Sequence, residues 1–375
     1  MKNDEYSLHL SQKNTAESAK QISLEIKAKF RNKPFFIFIL FTPDYNPKEL
    51  SQVFNLTLNN PNLLGVQAPL LIYKNKFIEK GIIGCCICKE KTNINSLFIG
   101  SQDSEKIEYN LKKHFKQIKR KDIKLISFLS PQINSLSFLE GLRFSLGKLI
   151  NFSGAGCHHK YSPQADFILK KGVGNGLVNL AFDGITNDIF RLQNFVIFGK
   201  PFTITRLNPK QQIIYEINNK PAVEIYKHYF EEKFNTFIEN RLFTYYPLGI
   251  SSKNSFRLLT IVDILEDGSF LFRGNLRNKT KGNLMTLREH YSREDLMANW
   301  GEKKNDREGL VFIINSLNRR KILGQKSTQE IENIKEVIFP KKEMFGVYSD
   351  YYLFPDLQTQ DISIESGGLL LNVWT

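Results

Sequence analysis

The chain has 375 residues, of which 41% are hydrophobic and 24% are charged. At roughly 100–200 residues per domain this suggests two domains and excludes disorder of the whole chain. The 52 Lys and Arg residues outnumber the 38 Asp and Glu residues, and a net charge of +14 would favour polyanions if it were concentrated on one surface. The longest apolar run, Phe35–Phe41, is far shorter than the ~18 residues of a membrane-spanning helix, so no membrane insertion is expected.

Cysteine usage and the first thirty residues predict a reducing compartment. Three of the four cysteines lie within Gly84–Cys88, too close together for a disulfide framework. The first thirty residues include Asp4 and Glu17 but no apolar stretch of the kind that a secretory signal needs. A cytoplasmic location is therefore expected.

In the first half of the chain, helical and strand patterns alternate. A helix is predicted over 16–30 and a buried strand over Phe35–Phe41. Pro43-Asp44 then opens a second helix, with Pro47 in its first turn, where proline is favourable. The remaining predicted elements are strands near 63–66, 81–89, 96–99 and 124–128 and helices over 111–124 and 134–149.

The helix over Leu111–Lys124 carries the densest positive charge, including Lys112, Lys116 and Lys119. No helix-turn-helix, zinc-finger spacing or aromatic RNA-binding motif accompanies it, so a solvated helix face is favoured over a nucleic-acid surface.

The second half begins with strands. They are predicted over 167–169, 177–182 and 212–217, followed by a turn at Asn218-Asn219 and a helix from Pro221. Glu266-Asp267-Gly268 between β-rich runs indicates a hairpin. Further helices (293–298, 328–338) and strands (310–314, 346–352, 369–373) complete an α/β or α+β architecture without a short-period repeat. The turn divides the chain into predicted domains 1–217 and 218–375.

No motif predicts catalysis, so the chain is not expected to be an enzyme. Gly172–Gly176 leads into a strand and lacks the helix of a phosphate loop. Cys157 precedes His158 and His159, but neighbouring residues of a strand point in opposite directions, which favours loop histidines over metal ligands or a catalytic pair.

Several segments in serial order resemble a known family. They include Phe36–Thr42, Ser153–Gly156, Tyr246–Gly249 and, most specifically, Glu216–Ala222. Over roughly residues 33–375 the chain resembles FIST-domain proteins, in both the N-terminal and the C-terminal part. The resemblance implies mixed sheets flanked by helices and a cytoplasmic bacterial sensory module. Such a module binds a small molecule and signals to a separate transmitter, such as a histidine kinase or a cyclic-dinucleotide enzyme.

The resemblance also implies a ligand site between the two parts. Its expected residues lie in or beside the matching loops: Ser153, Gly154, Gly156, Thr205, Arg206, Arg319, Tyr348 and Asp350. Of the adjacent Arg319 and Arg320, one is expected to point into the cleft towards an anionic group and the other towards solvent.

Two alternatives stay open. Phe190–Phe195 resembles the branch of the family that binds haem to sense nitric oxide, but Asn194 stands where a histidine is expected, and an amide is a poor axial ligand. His158, His159 or His228 would then hold the haem. The other alternative is a FIST scaffold without a ligand that docks an acidic partner through the basic helix, motivated by the departures Leu259, Ser316 and Tyr352 from the family pattern.

Overall fold

Four sheets make up the described part of the computed structural model. The structure describes residues 5–31, 33–88, 90, 93–100, 106–117, 124–133, 135–146, 151–157, 166–170, 172–252, 255–274, 276–288, 291–300, 308–355 and 362–375. Within these ranges, three sheets have six strands each and one has seven, and helices cover the six-stranded sheets. The predicted α/β class is confirmed.

The three six-stranded sheets are built from three units with the same order of elements. The first unit comprises β1 (Tyr6–Ser11), α1 (Thr15–Phe30), β2 (Phe35–Phe41), α2 (Pro47–Leu58), β3 (Asn62–Gln67), β4 (Leu71–Tyr73), β5 (Lys76–Ile78) and β6 (Ile82–Cys88). The second comprises β7 (Asn93–Gly100), α3 (Ile107–Gln117), β8 (Lys124–Leu129), α4 (Ser135–Leu146), β9 (Phe152–Gly156), β10 (Phe167–Leu169), β11 (Gly172–Gly174) and β12 (Gly176–Asp183).

The third unit begins with β13 (Asn187–Leu192) and is then interrupted by an insertion. The insertion contains β14 (Phe195–Asn208), β15 (Ile213–Ile217), β16 (Lys220–Pro221), α5 (Glu224–Phe230), α6 (Phe234–Glu239), β17 (Leu248–Ser252), β18 (Ser255–Ile264), β19 (Phe270–Arg273) and β20 (Lys281–Leu287). The unit resumes with α7 (Arg293–Trp300), β21 (Gly309–Ser316), α8 (Leu317–Leu323), α9 (Lys326–Asn333), β22 (Lys342–Ser349), β23 (Tyr352–Pro355), β24 (Ile362–Glu365) and β25 (Leu369–Trp374).

Each unit contributes a parallel β-α-β pair to the centre of its own sheet and lends a hairpin to another unit. The parallel pairs are β2–β3, β8–β9 and β21–β22. The first unit's hairpin β4–β5 pairs with β22, the second unit's β10–β11 pairs with β3, and the third unit's β23–β24 pairs with β9. The hairpin exchange is therefore cyclic and ties the three units together.

Register confirms that the units are equivalent. In each parallel pair, the second strand contains a glycine that lies opposite one residue of the first strand. Three positions after that residue, the chain has a buried threonine or serine. The pairs are Ile39 with Gly65, Ser127 with Gly154, and Ile313 with Gly346, and the hydroxyl groups belong to Thr42, Ser130 and Ser316. The structure thus contains a triplication that a search for short-period repeats does not find.

The inner faces of the three sheets share one core. The rings of Phe38, Phe128 and Phe312, one from each sheet, lie with their centroids 5.4–6.1 Å apart. The outer faces are covered by α1 with α2, by α3 with α4, and by α7 with α9. The insertion has a separate core, in which Tyr226 packs against Phe237 and Phe270.

Local signals explain where elements begin, and they also correct one prediction. The side chain of Asn14 accepts the Glu17 N–H at 2.9 Å and caps α1, while Asn46 caps α2 ahead of Pro47. The helix predicted from Pro221 is wrong, because Pro221 pairs with Glu216 in β16 and α5 begins only at Glu224. The predicted boundary at 217/218 falls in the turn between β15 and β16.

Gly65 tests the close contact between β3 and the borrowed hairpin. A Cβ at this position would lie 2.7 Å from the Cβ of Ile168 on β10, so Gly65→Ala should destabilise the protein by about 1–3 kcal/mol through overpacking. Chemical denaturation measures this change. Ser96→Ala on the exposed face of β7 is the control, with an expected change within ~0.5 kcal/mol. Equal stability of the two variants would contradict the tight contact.

Candidate functional site

The expected ligand residues lie in separate parts of the structure. Ser153 points into the shared core, where its hydroxyl group donates to Asn372 Oδ1 at 2.7 Å. Gly154 and Gly156 are also buried on β9. The ring of Tyr351 fills the space where a side chain on Gly156 would lie.

Asp350 follows β22 and lies near Cys157. Burial, with the charges of Asp166 and Asp350, raises the pKa of the Cys157 thiol well above its usual value. A thiol held in its neutral form is a poor nucleophile.

Arg319 is fully buried, and protein groups surround its guanidinium group. It donates to both carboxylate oxygens of Glu330, with Nε at 2.8 Å, to the Gly367 carbonyl at 3.1 Å and to Asn194 Oδ1 at 2.9 Å. Burial alone would lower the pKa of Arg319, but the carboxylate of Glu330 raises it above the usual range. This ion pair joins α8 to α9 and fixes both to the start of the insertion.

Arg320 on α8 and Tyr348 on β22 both contact the ring of Phe77. Arg320 is partly exposed, pairs with Glu79 at 3.2 Å and lies over the ring of Phe77. Tyr348 is buried against the same ring, and its hydroxyl group accepts from Asn315 Nδ2 at 3.1 Å. The two arginines therefore diverge; a ligand-binding role for Arg319 or Tyr348 stays a prediction.

Thr205 and Arg206 support a turn in the insertion. Asn218 and Asn219 connect β15 to β16 as a two-residue hairpin, and both have left-handed backbones with φ of 53° and 59°. Asparagine tolerates this conformation better than most residues. Thr205 Oγ1 accepts the Asn219 N–H at 3.0 Å, and Arg206 pairs with Glu216 at 2.9 Å.

A groove of ≈ 480 Å³ lies beside this turn, between β14, the β15–β16 hairpin and α5. Phe202, Ile217 and Ile225 supply apolar lining, and Phe202 and Ile217 are nearly fully buried. Asn218 lines the groove and also accepts the Thr203 N–H at 2.8 Å, which holds the turn against β14. The size is within the range of small-molecule sites.

The lining of the groove is mainly cationic where it is polar. Lys200, Lys220 and Lys227 line it against one carboxylate, Glu224, and the ring of His228 also lines it. Lys227 contacts Glu224 at 3.4 Å. Lys200 and Lys220 are both exposed, so an organic anion could reach them from solvent.

The described residues do not fit an axial haem site at Asn194. The amide oxygen there accepts from Arg319, and His228 belongs to the groove on α5, with its ring 5.0 Å from that of Tyr229. His158 and His159 lie outside the described residues. In the same ranges, no three His, Cys, Asp or Glu side chains are grouped to hold a metal ion.

Comparison with known families identifies the chain. Residues 36–220 match the FIST N domain and residues 222–350 match the FIST C domain. The chain belongs to the FIST family, whose domains are sensory modules associated with small-ligand binding. No curated protein matches its sequence. Across the described ranges, no helix is long and apolar enough to span a membrane.

Sequence reasoning missed the lysines of the groove. Lys200, Lys220 and Lys227 are dispersed among many other lysines, and no spacing distinguishes them. The available signal was the segment Glu216–Ala222, the most specific part of the resemblance, which includes three groove residues, Ile217, Asn218 and Lys220. The basic helix proposed for docking is described only in part: Lys112 pairs with Glu108 at 2.6 Å, and the side chains of Lys116 and Lys119 lie outside the described residues.

The buried pair can be tested against its exposed neighbour. Arg319→Met leaves the carboxylate of Glu330 buried without its countercharge and should cost about 3–5 kcal/mol of stability. Arg320→Met removes a partly exposed pair and should cost ~1 kcal/mol or less. Denaturant unfolding of both variants measures these losses. Adding Glu330→Leu to Arg319→Met should recover part of the loss, because it removes the unpaired carboxylate. A loss at Arg319 no larger than that at Arg320 would contradict the assignment.

The groove turn provides a second test. Asn219→Val places a β-branched residue at φ 59° and should destabilise the protein by about 1–2 kcal/mol, whereas Asn219→Gly should be tolerated. Thermal unfolding separates the two. If valine were as stable as glycine, the backbone would not be held in the left-handed region.

Proposed function

We propose that this FIST protein is a sensory module that binds a small organic anion in the groove between β14, the β15–β16 hairpin and α5. The observation that carries the proposal is the combination of an apolar lining with exposed lysines in one groove, beside the segment that most resembles the family. An apolar lining with a few polar groups that fix orientation is typical of ligand sites.

The charges suggest the class of ligand. Lys200, Lys220 and Lys227 outnumber Glu224, so a carboxylate or phosphate group is favoured over a cation. Phe202 and Ile217 would contact an apolar part of the ligand. Thr205 and Arg206, both expected in the ligand site, would act by supporting the turn rather than by contacting the ligand.

The remaining parts of the proposal rest on family membership and composition. Binding would be passed to a separate transmitter, such as a histidine kinase or a cyclic-dinucleotide enzyme, in the bacterial cytoplasm, and the chain itself would catalyse no reaction. All four cysteines, Cys85, Cys86, Cys88 and Cys157, are free and buried, which suits a reducing compartment.

Calorimetry tests the groove directly. The probes are aliphatic and aromatic carboxylates and sugar phosphates, each compared with its neutral amide or unphosphorylated form. We expect at least one anion to bind and its neutral form not to bind. Lys220→Ala should weaken that binding about tenfold, since it removes one cation from a groove with an apolar lining, and added salt should weaken it further.

The control is Lys210→Ala, an exposed lysine between β14 and β15 that does not line the groove. It should bind like the unmodified protein. Failure of every anion to bind, or equal weakening by both substitutions, would reject the groove as the ligand site.

A further inference from the structure

The first part of β14 is an open sheet edge. Phe195–Ile197 pairs with β20 on one side. On the other side, β15 pairs only with the later residues Ile204–Asn208, and no strand of the described part pairs with Phe195–Lys200. An edge of this kind presents backbone groups that a further strand can bind.

The hydrogen-bond pattern shows which backbone groups face outwards. The Arg288 N–H donates to the Asn194 carbonyl at 3.1 Å, at the start of the pairing with β20. Because bonding alternates along an antiparallel pair, Val196 is directed to β20, and the backbone groups of Phe195 and Ile197 are directed to the open edge.

The side chains of this edge are apolar and exposed. Val196, Ile197 and Phe198 expose 38%, 53% and 43% of their surfaces. Edge strands of monomeric proteins are usually protected by charged residues or prolines, and an exposed apolar run is typical of a binding surface. The ring of Phe198 packs against those of Tyr229 and Tyr246, with centroids 5.5 and 5.4 Å away, so the surface is fixed in place.

Positive charge lies at both ends of the run. Arg288 is exposed near its start, and Lys200 is exposed at its end, where the groove with Lys220 begins. A second copy of this chain, with a net charge of +14, would meet like charge here. Charge complementarity therefore favours an acidic partner.

We propose that the edge from Phe195 to Phe198 docks an extended segment of a partner protein, which adds a strand to the seven-stranded sheet. The edge ends there because the Gly199 carbonyl and the Lys200 N–H already bond to Asn283 and Tyr229. The segment would carry apolar residues at alternate positions, on the face of the sheet where Ile197 is exposed, and carboxylates at the ends that meet Lys200 and Arg288. Strand addition gains affinity from main-chain hydrogen bonds and specificity from alternate side chains. The proposal goes beyond ligand binding and holds whether or not the groove takes an anion.

A random peptide library displayed on phage tests this surface. Selection on the immobilised full chain, with counter-selection on Ile197→Lys, should enrich peptides with alternating apolar residues and clustered Asp or Glu. Fluorescence anisotropy of an enriched peptide should show binding at least tenfold weaker to Ile197→Lys. Leu265→Lys, at an exposed apolar residue after β18, is the matched control and should bind unchanged.

A charge exchange tests the acidic end. Lys200→Glu should weaken binding about tenfold, and a peptide in which only the carboxylate that meets Lys200 is replaced by lysine should recover it on this variant only. The proposal is overturned if no peptide is enriched, if the enriched peptides lack carboxylates, or if Ile197→Lys binds equally. It is also overturned if the chain is a dimer in solution that Ile197→Lys converts to a monomer, since a second copy would then occupy the edge.

Calorimetry with the groove anions on Ile197→Lys distinguishes the two proposals. Because Ile197 does not line the groove, this variant should bind the anions like the unmodified protein.

Discussion

The fold depends on the meeting of three sheets at one core. Each six-stranded sheet buries its inner face only because the other two cover it, and Phe38, Phe128 and Phe312 are in mutual contact at this junction. Each sheet also takes its last two strands from another unit. Neither the core nor the sheets can therefore be completed by one unit alone, and most of their contacts join residues that are distant in sequence.

The insertion does not depend on the three-sheet core, because it has a core of its own. It joins the third unit where Asn194 accepts a hydrogen bond from Arg319, next to Gly367. The guanidinium group of this buried ion pair holds the amide of Asn194, because displacing the amide would leave one buried N–H of Arg319 without an acceptor. The edge and the groove thus lie on a sheet that is joined to the third unit beside this ion pair.

Local elements could be predicted from the sequence, but their assembly could not. The apolar run Phe35–Phe41 and the hairpin at Asp267-Gly268 are determined by neighbouring residues, and both were predicted. The equivalence of the three units depends on sheet register, and their central strands share only an apolar pattern, which any buried strand satisfies. At Pro221 a prediction from local sequence was wrong. Proline suits the start of a helix, but Pro221 pairs with Glu216 in a hairpin instead.

The same limit applies to the candidate site. Asn218-Asn219 was predicted as a turn, because two asparagines suit left-handed backbones. That Lys200 lies across the groove from Lys220 follows from the pairing of β14 with β15, which no spacing in the sequence shows. Likewise, the resemblance drew attention to Arg319, but its partner Glu330 is on the next helix and becomes visible only when α8 and α9 pack.

The two proposed surfaces share Lys200, and this determines how they would interact. The hydroxyl group of Tyr229 accepts the Lys200 N–H at 2.6 Å, and the ring of Tyr229 lines the groove and contacts Phe198. An anion in the groove would neutralise Lys200, which the acidic end of a docked segment would also need. Ligand and partner would then each weaken the binding of the other, and thermodynamic linkage makes the two effects equal. A sensor built in this way would release its partner when its ligand binds, without any rearrangement of the three-sheet core.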